Sequence, residues 1–101
     1  MGWAEFHIAQ LRDGRTISFR PRGNSMAGKI ESGQEVTVVP IGDRQVKVGN
    51  IVLCKVNGRE FLHLVHQVDA QGRCLIGNNI GGRNGWTRRK NIFGLVVKVE
   101  A

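Results

Sequence analysis

Long apolar runs are missing from this chain: no window approaches the roughly 18 to 20 uninterrupted apolar residues that a spanning helix needs. The N-terminus also lacks a basic segment followed by an apolar stretch. Together these absences read as a cytoplasmic domain with no membrane partner. Cysteine is scarce, with 2 residues, and the 3 histidines are scattered, so no recognised metal-ligand spacing appears and no metal or cofactor is expected. Cys54 in IVLCKV and Cys74 in RCLI each lie on strand-like runs where alternation would turn them inward as small hydrophobes. Spacing alone does not exclude a disulfide between them. Proline is rare, with 2 residues, and the acidic side chains number 8 against 15 Lys and Arg, leaving a net charge of +7. Such a charge favours acidic partners or surfaces through long-range attraction without specifying one.

What is present describes a single small β domain spanning residues 1–101. A chain of 101 residues suits one hydrophobic core. The 14 glycines mark many turns. Residues 3–11 have helix-tolerant composition, although Trp3, Phe6, Ile8 and Leu11 do not form one clean face, so a short N-terminal helix is expected there. Thr16–Arg20 alternates as a half-buried strand, and Pro21 ends its pairing because it has no N–H to donate. EVTVVP (residues 35–40) is a β-branched strand, and Ile51–Val56 is the most apolar one. Asn57-Gly58 is the strongest hairpin signal, because both positions of a type I′ turn need positive φ. It predicts Ile51–Val56 and Glu60–Val68 as antiparallel neighbours. A second turn at Asp69–Gly72 leads to a strand over Cys74–Ile76, residues 77–91 read as an ordered but irregular loop, and Phe93–Val99 is a last strand. The fold class is mainly β.

The stretch RPRGNSMAGKIESG (residues 20–33) joins two strands through a Gly-Asn-Ser-Met turn. Its serine is either a turn hydroxyl bonding nearby backbone or an exposed nucleophile. The pattern Gly23-x-Ser25-Met26-x-x-x-Ile30-x-x-Gly33-x-x-Val36-x-Val38, then Val48-Gly49-x-Ile51-Val52, an Asn-Gly hairpin, Phe61-Leu-His-Leu-Val65, Ile76-Gly-x-Asn79 and Ile92-x-Gly94-x-Val96 resembles the peptidase S24/S26 superfamily. That group includes LexA-type repressors, UmuD-like proteins and type I signal peptidases, and the resemblance covers residues 16–99. It implies a small β-barrel or ribbon fold and a serine nucleophile at Ser25, with a Lys base on a later strand.

No Lys occupies that later strand. The resemblance then places His63 as the base, as in the endoplasmic-reticulum and archaeal type of signal peptidase, with His66 as the alternative if the register differs by three. Alternation puts residues 63 and 66 on opposite faces of a regular strand, so at most one addresses Ser25. The orienting Asp of the His-type enzymes lies in a Gly-Asp-Asn segment, which here is Gly77-Asn78-Asn79, making Asn78 the orienting candidate. A second family Asp is likewise replaced, by Asn50. Asp43 and Asp69 sit in turn contexts that favour capping. The implied oxyanion donor is the Ser25 backbone N–H, since the position of a helping serine is Gly23.

These readings predict a serine-peptidase-like domain that acts in trans on a peptide bond of another polypeptide through a Ser25–His63 dyad. Residues 1–24 carry no Ala-Gly pair of the kind LexA-like proteins cut in themselves, and no helix-turn-helix pattern precedes the domain. The alternative is a catalytically inactive binding module of the same fold, for a peptide or, less favoured, nucleic acid. For the latter, Trp86, Arg88, Arg89 and Lys90 could stack and clamp a single strand; a solvated basic loop anchored by Trp86 is the plainer reading.

Overall fold

The computed structural model describes residues 2–101 and is mainly β, with one short helix and seven antiparallel strands in one sheet. In chain order these are α1 (Glu5–Arg12), β1 (Ile17–Phe19), β2 (Glu35–Pro40), β3 (Ile51–Val56), β4 (Arg59–Val68), β5 (Cys74–Gly77), β6 (Arg83–Thr87) and β7 (Ile92–Glu100), with a 3-10 turn at Arg89–Asn91. The order across the sheet is β1-β2-β7-β3-β4-β5-β6.

The β3–β4 hairpin forms as its turn dictates. Asn57 and Gly58 both take positive φ, 51° and 80°, and the pairing runs from Val56↔Arg59 to Ile51↔Leu64. Within β3 the alternation is strict: Leu53 faces one core cluster, while Val52, Cys54 and Val56 face the other. The first cluster lies under α1, whose Ala4, Ile8 and Leu11 side pack on Val36, Val38, Leu62, Leu64 and Phe93. The second joins Val52, Cys54 and Val56 to Val65, Cys74, Ile76 and Ile92. Each large aliphatic side chain so enclosed contributes about 1.5–3 kcal/mol.

The sheet curls, bringing β6 back against β3: Thr87 Oγ1 donates to the Lys55 carbonyl at 2.6 Å, and Gly85 lies beside Val56. Both cysteines are free and fully buried. Burial, with the neighbouring Cys74 adding to it, pushes the Cys54 thiol up to about 12. Asp69 does act as a turn cap, its Oδ1 accepting the N–H of Gln71 and Arg73.

Two expectations need correction. Residues 77–91 are not one irregular loop, because Arg83–Thr87 pairs with β5 as strand β6, from Gly77↔Arg83 to Cys74↔Thr87. Its Asn, Gly and Arg residues carry no apolar alternation, and the ladder forms from backbone groups at the sheet edge. The helix begins at Glu5 rather than residue 3, with Trp3 and Phe6 exposed, which is why its apolar residues showed no single face. Among the described residues no helix is long and apolar enough to cross a membrane.

Gly94 is a point of close approach: β7 pairs there with Pro40 on one side and Leu53 on the other. An added Cβ would fall 2.5 Å from Val38 Cγ1, 2.8 Å from Leu11 Cδ1 and 3.0 Å from the Val39 carbonyl. Gly94→Ala is therefore expected to destabilise the fold by about 2 kcal/mol or more through overpacking, seen as a lower urea midpoint at unchanged m-value.

Candidate functional site

Ser25 sits in a turn that the core fastens from below. Met26 and Ile30, four residues apart, are both buried in the cluster under α1. The Ala27 N–H donates to the Asn24 carbonyl, and the Ile30 N–H to the Met26 carbonyl at 2.8 Å, so the chain turns tightly between the two anchors. A second clamp comes from the loop after β5. The Asn79 N–H donates to the Ser25 carbonyl at 2.8 Å, and Asn79 Nδ2 donates to the Ala27 carbonyl at 2.7 Å. Arg20 donates to the Gly33 carbonyl and closes the base of the segment. The Ser25 N–H finds no protein acceptor among the described residues.

His63 comes from β4, paired with Val52 of β3. Its Nε2 lies 3.2 Å from Ser25 Oγ, and its Nδ1 lies 2.7 Å from Asn84 Oδ1 on β6. With the amide oxygen facing Nδ1, that nitrogen carries the proton and donates it to Asn84. Nε2 then presents a lone pair to the serine hydroxyl. The ring is 9% exposed and stacks on Phe61, with centroids 5.0 Å apart. Burial holds the His63 pKa below the ordinary 6.5; the bond to Asn84 works upward against it, and the nearby His66 adds to the lowering. The imidazole is thus neutral at neutral pH, the form a general base requires.

The structure brings Ser25 and His63 together and separates the remaining sequence candidates from them. His66 stands at the irregularity between Val65 and Gln67 in the β4–β5 pairing, and its Nε2 donates to the Asn78 carbonyl at 2.9 Å. Asn78 is not the residue on the His63 ring. Its Oδ1 accepts the Ile80 and Gly82 N–H groups, at 3.0 and 2.7 Å, and shapes the loop instead. The orienting amide is Asn84, six residues on, which sequence reading missed because it fell in the stretch taken for loop. The only trace of it is the Asn84-Gly85 pair before Trp86, too common a pattern to single out.

Trp86 is a half-exposed residue of β6, and Arg89 donates to the Gly42 carbonyl at 2.7 Å, while Arg88 and Lys90 are exposed. None of the four lines the cleft at Ser25. Among the described residues no group of three or more His, Cys, Asp or Glu is placed to hold a metal ion.

The cleft itself measures about 460 Å³ and runs from Ser25, Gly23 and His63 past Phe61 and Leu62 to Trp3, His7 and Phe19. Its floor follows an open strand edge. β5 pairs only with the Leu64–Val68 end of β4, so the Arg59–His63 end is laddered by β3 on one side alone. No protein-family model matches the sequence, and no curated protein matches it.

The bond between Asn84 and the ring sets opposite expectations for two substitutions. Asn84→Ala removes the bond that favours the charged ring and should lower the His63 pKa further. Asn84→Asp places a carboxylate there and should raise it. Titrating the ring C–H resonances by NMR reads both shifts, and movement of the two in the same direction would show that Asn84 does not govern the ring.

Proposed function

We propose that this chain is a serine-peptidase-like domain of the S24/S26 type, cleaving a peptide bond of another polypeptide with Ser25 as nucleophile, His63 as base and Asn84 as its orienting group. The observation that carries this reading is the 3.2 Å contact of Ser25 Oγ with an imidazole whose other nitrogen is held at 2.7 Å. A serine hydroxyl becomes nucleophilic when a base within hydrogen-bond reach takes its proton, and a third group keeps that base in the useful tautomer.

In the proposed reaction Ser25 Oγ bonds to the scissile carbonyl carbon while its proton passes to His63 Nε2. The carbonyl electrons move to oxygen, which the Ser25 N–H receives. Collapse of this adduct breaks the C–N bond, and Nε2 returns the proton to the leaving amine. Water, deprotonated by the same nitrogen, then bonds to the acyl carbon; the bond to Ser25 Oγ breaks as Nε2 returns the proton to that oxygen, releasing the acid and restoring the serine. An extended polypeptide is favoured as ligand because the Arg59–His63 edge of β4 beside Ser25 has no strand partner, although its Glu60 carbonyl already accepts Trp3 Nε1 at 3.4 Å. The buried, free cysteines suit the reducing cytoplasm as the setting.

One observation favours the second reading, a peptide-binding module without catalysis: the group behind His63 is an amide. An amide orients the ring but does not stabilise imidazolium as a carboxylate would. A nucleic-acid module is supported less, since its candidate residues lie away from the cleft.

A serine-directed fluorophosphonate is expected to label the wild-type protein and to leave Ser25→Ala unmodified. His63→Ala should slow labelling by about 10²–10⁴-fold. Equal labelling of wild type and Ser25→Ala, or none of either, would sink the peptidase reading in favour of the binding module. The labelling rate should also fall with acid through an inflection below 6.5, because the base is lost once Nε2 is protonated and burial sets that protonation lower than usual.

A further inference from the structure

The cleft continues beyond Ser25 and His63 into a wall rich in aromatic rings. Trp3, Phe19 and Phe61, half of the chain's two Trp and four Phe residues, line it together with His7. His7 stacks on Phe19 with centroids 4.3 Å apart and planes 14° from parallel, and Trp3 tilts against Phe19 at 6.0 Å. Glu60 shares this wall, three residues before His63 and so about 10 Å along the strand.

Two buried side-chain atoms have no hydrogen-bond partner among the described residues, and both belong to this wall: Glu60 Oε2 and His7 Nδ1. The other carboxylate oxygen of Glu60 accepts the Ala4 N–H at 2.9 Å. Three cations nearby are committed elsewhere, while Arg22, which also lines the cleft, is exposed and pairs with no carboxylate among the described residues. Lys55, opposite Glu60 in the β3–β4 ladder, reaches Glu5 at 3.8 Å, Arg20 is tied to the Gly33 carbonyl, and Arg59 lies over the Phe61 ring. Glu60 itself forms no ion pair among the described residues.

We propose that this part of the cleft is a pocket for a basic side chain of the bound polypeptide, lysine above all, with Glu60 as its anionic partner. The proposal rests on reading the cleft as a polypeptide-binding site. A buried carboxylate oxygen left without a donor is unfavourable, and an ammonium group supplies three donors and no acceptor. Burial keeps His7 neutral by lowering its pKa, so its ring adds no positive charge to repel the guest. Aromatic faces beside a carboxylate suit a cation and its alkyl stem together. Gly2 lies directly on the Glu60 carboxylate, where an added Cβ would fall 1.7 Å from Oε1.

The test uses acetylated, amidated octapeptides of alanine and serine in which one lysine, or its neutral isostere norleucine, is stepped through every position. They are titrated into Ser25→Ala protein by calorimetry and offered to the wild type for hydrolysis. At one position lysine should bind about tenfold or more tighter than norleucine, and Glu60→Gln in the Ser25→Ala background, which keeps an acceptor for Ala4, should abolish that preference. Lysine preference at no position overturns the pocket, as does a preference that persists in folded Glu60→Gln. The lysine–norleucine comparison needs no Glu60 variant, so a folding defect in Glu60→Gln leaves the test decisive. Glu60-dependent binding without hydrolysis would keep the pocket and remove the peptidase reading; hydrolysis indifferent to lysine would do the reverse.

Discussion

The imidazole of His63 meets an oxygen at each ring nitrogen, and the three residues concerned come from three places in the chain. Asn84 Oδ1 takes one nitrogen on β6, Ser25 Oγ meets the other from the turn after β1, and β4 carries the ring between them. For this to hold, β6 must curl back toward β3, the Ser25 turn must be pinned by Met26 and Ile30, and β4 must keep its register against Val52. Burial then lowers the ring's proton affinity, so the orientation and the charge state follow from the same packing. The sheet's curl is thus what turns a serine and a histidine 38 residues apart into neighbours.

The parts of the fold governed by local chemistry were legible in the sequence. Asn57-Gly58 announced its hairpin because few other pairs tolerate two positive φ angles, and β2, β3 and β4 showed in their β-branched and apolar runs. Ser25 and His63 were both visible, one in its glycine-bearing turn and the other on a strand near the right register. β6 was not visible, because an edge strand held by backbone ladders and one Thr87 hydroxyl needs no apolar pattern. The orienting amide went unseen with it. Asn78 came from matching Gly77-Asn78-Asn79 to the Gly-Asp-Asn segment of the resembled family, whereas the ring's neighbour is set by which strand lies alongside.

A site of this kind separates geometry from electrostatics. The ring's tautomer and the serine contact need only a hydrogen-bond acceptor behind Nδ1, and Asn84 provides one. Stabilising the imidazolium that the proposed reaction would form needs negative charge, and an amide lacks it. The His66 ring, bound to the Asn78 carbonyl, adds to the lowering of the His63 pKa. The structure is therefore well organised for holding a neutral base and poorly organised for holding its conjugate acid, which is where a slow enzyme and a binding module converge.

The clamp by Asn79 has a further consequence. Asn79 fixes the backbone of the Ser25 turn, Asn84 fixes the histidine, and the two stand five residues apart on one ribbon that runs into an edge strand. Edge elements open at lower free energy than strands laddered on both sides. Fraying of this ribbon would release the serine turn and the ring at once, while both core clusters stayed packed. The Ser25–His63 contact thus leans on a part of the sheet that opens more readily than the two packed clusters beneath it.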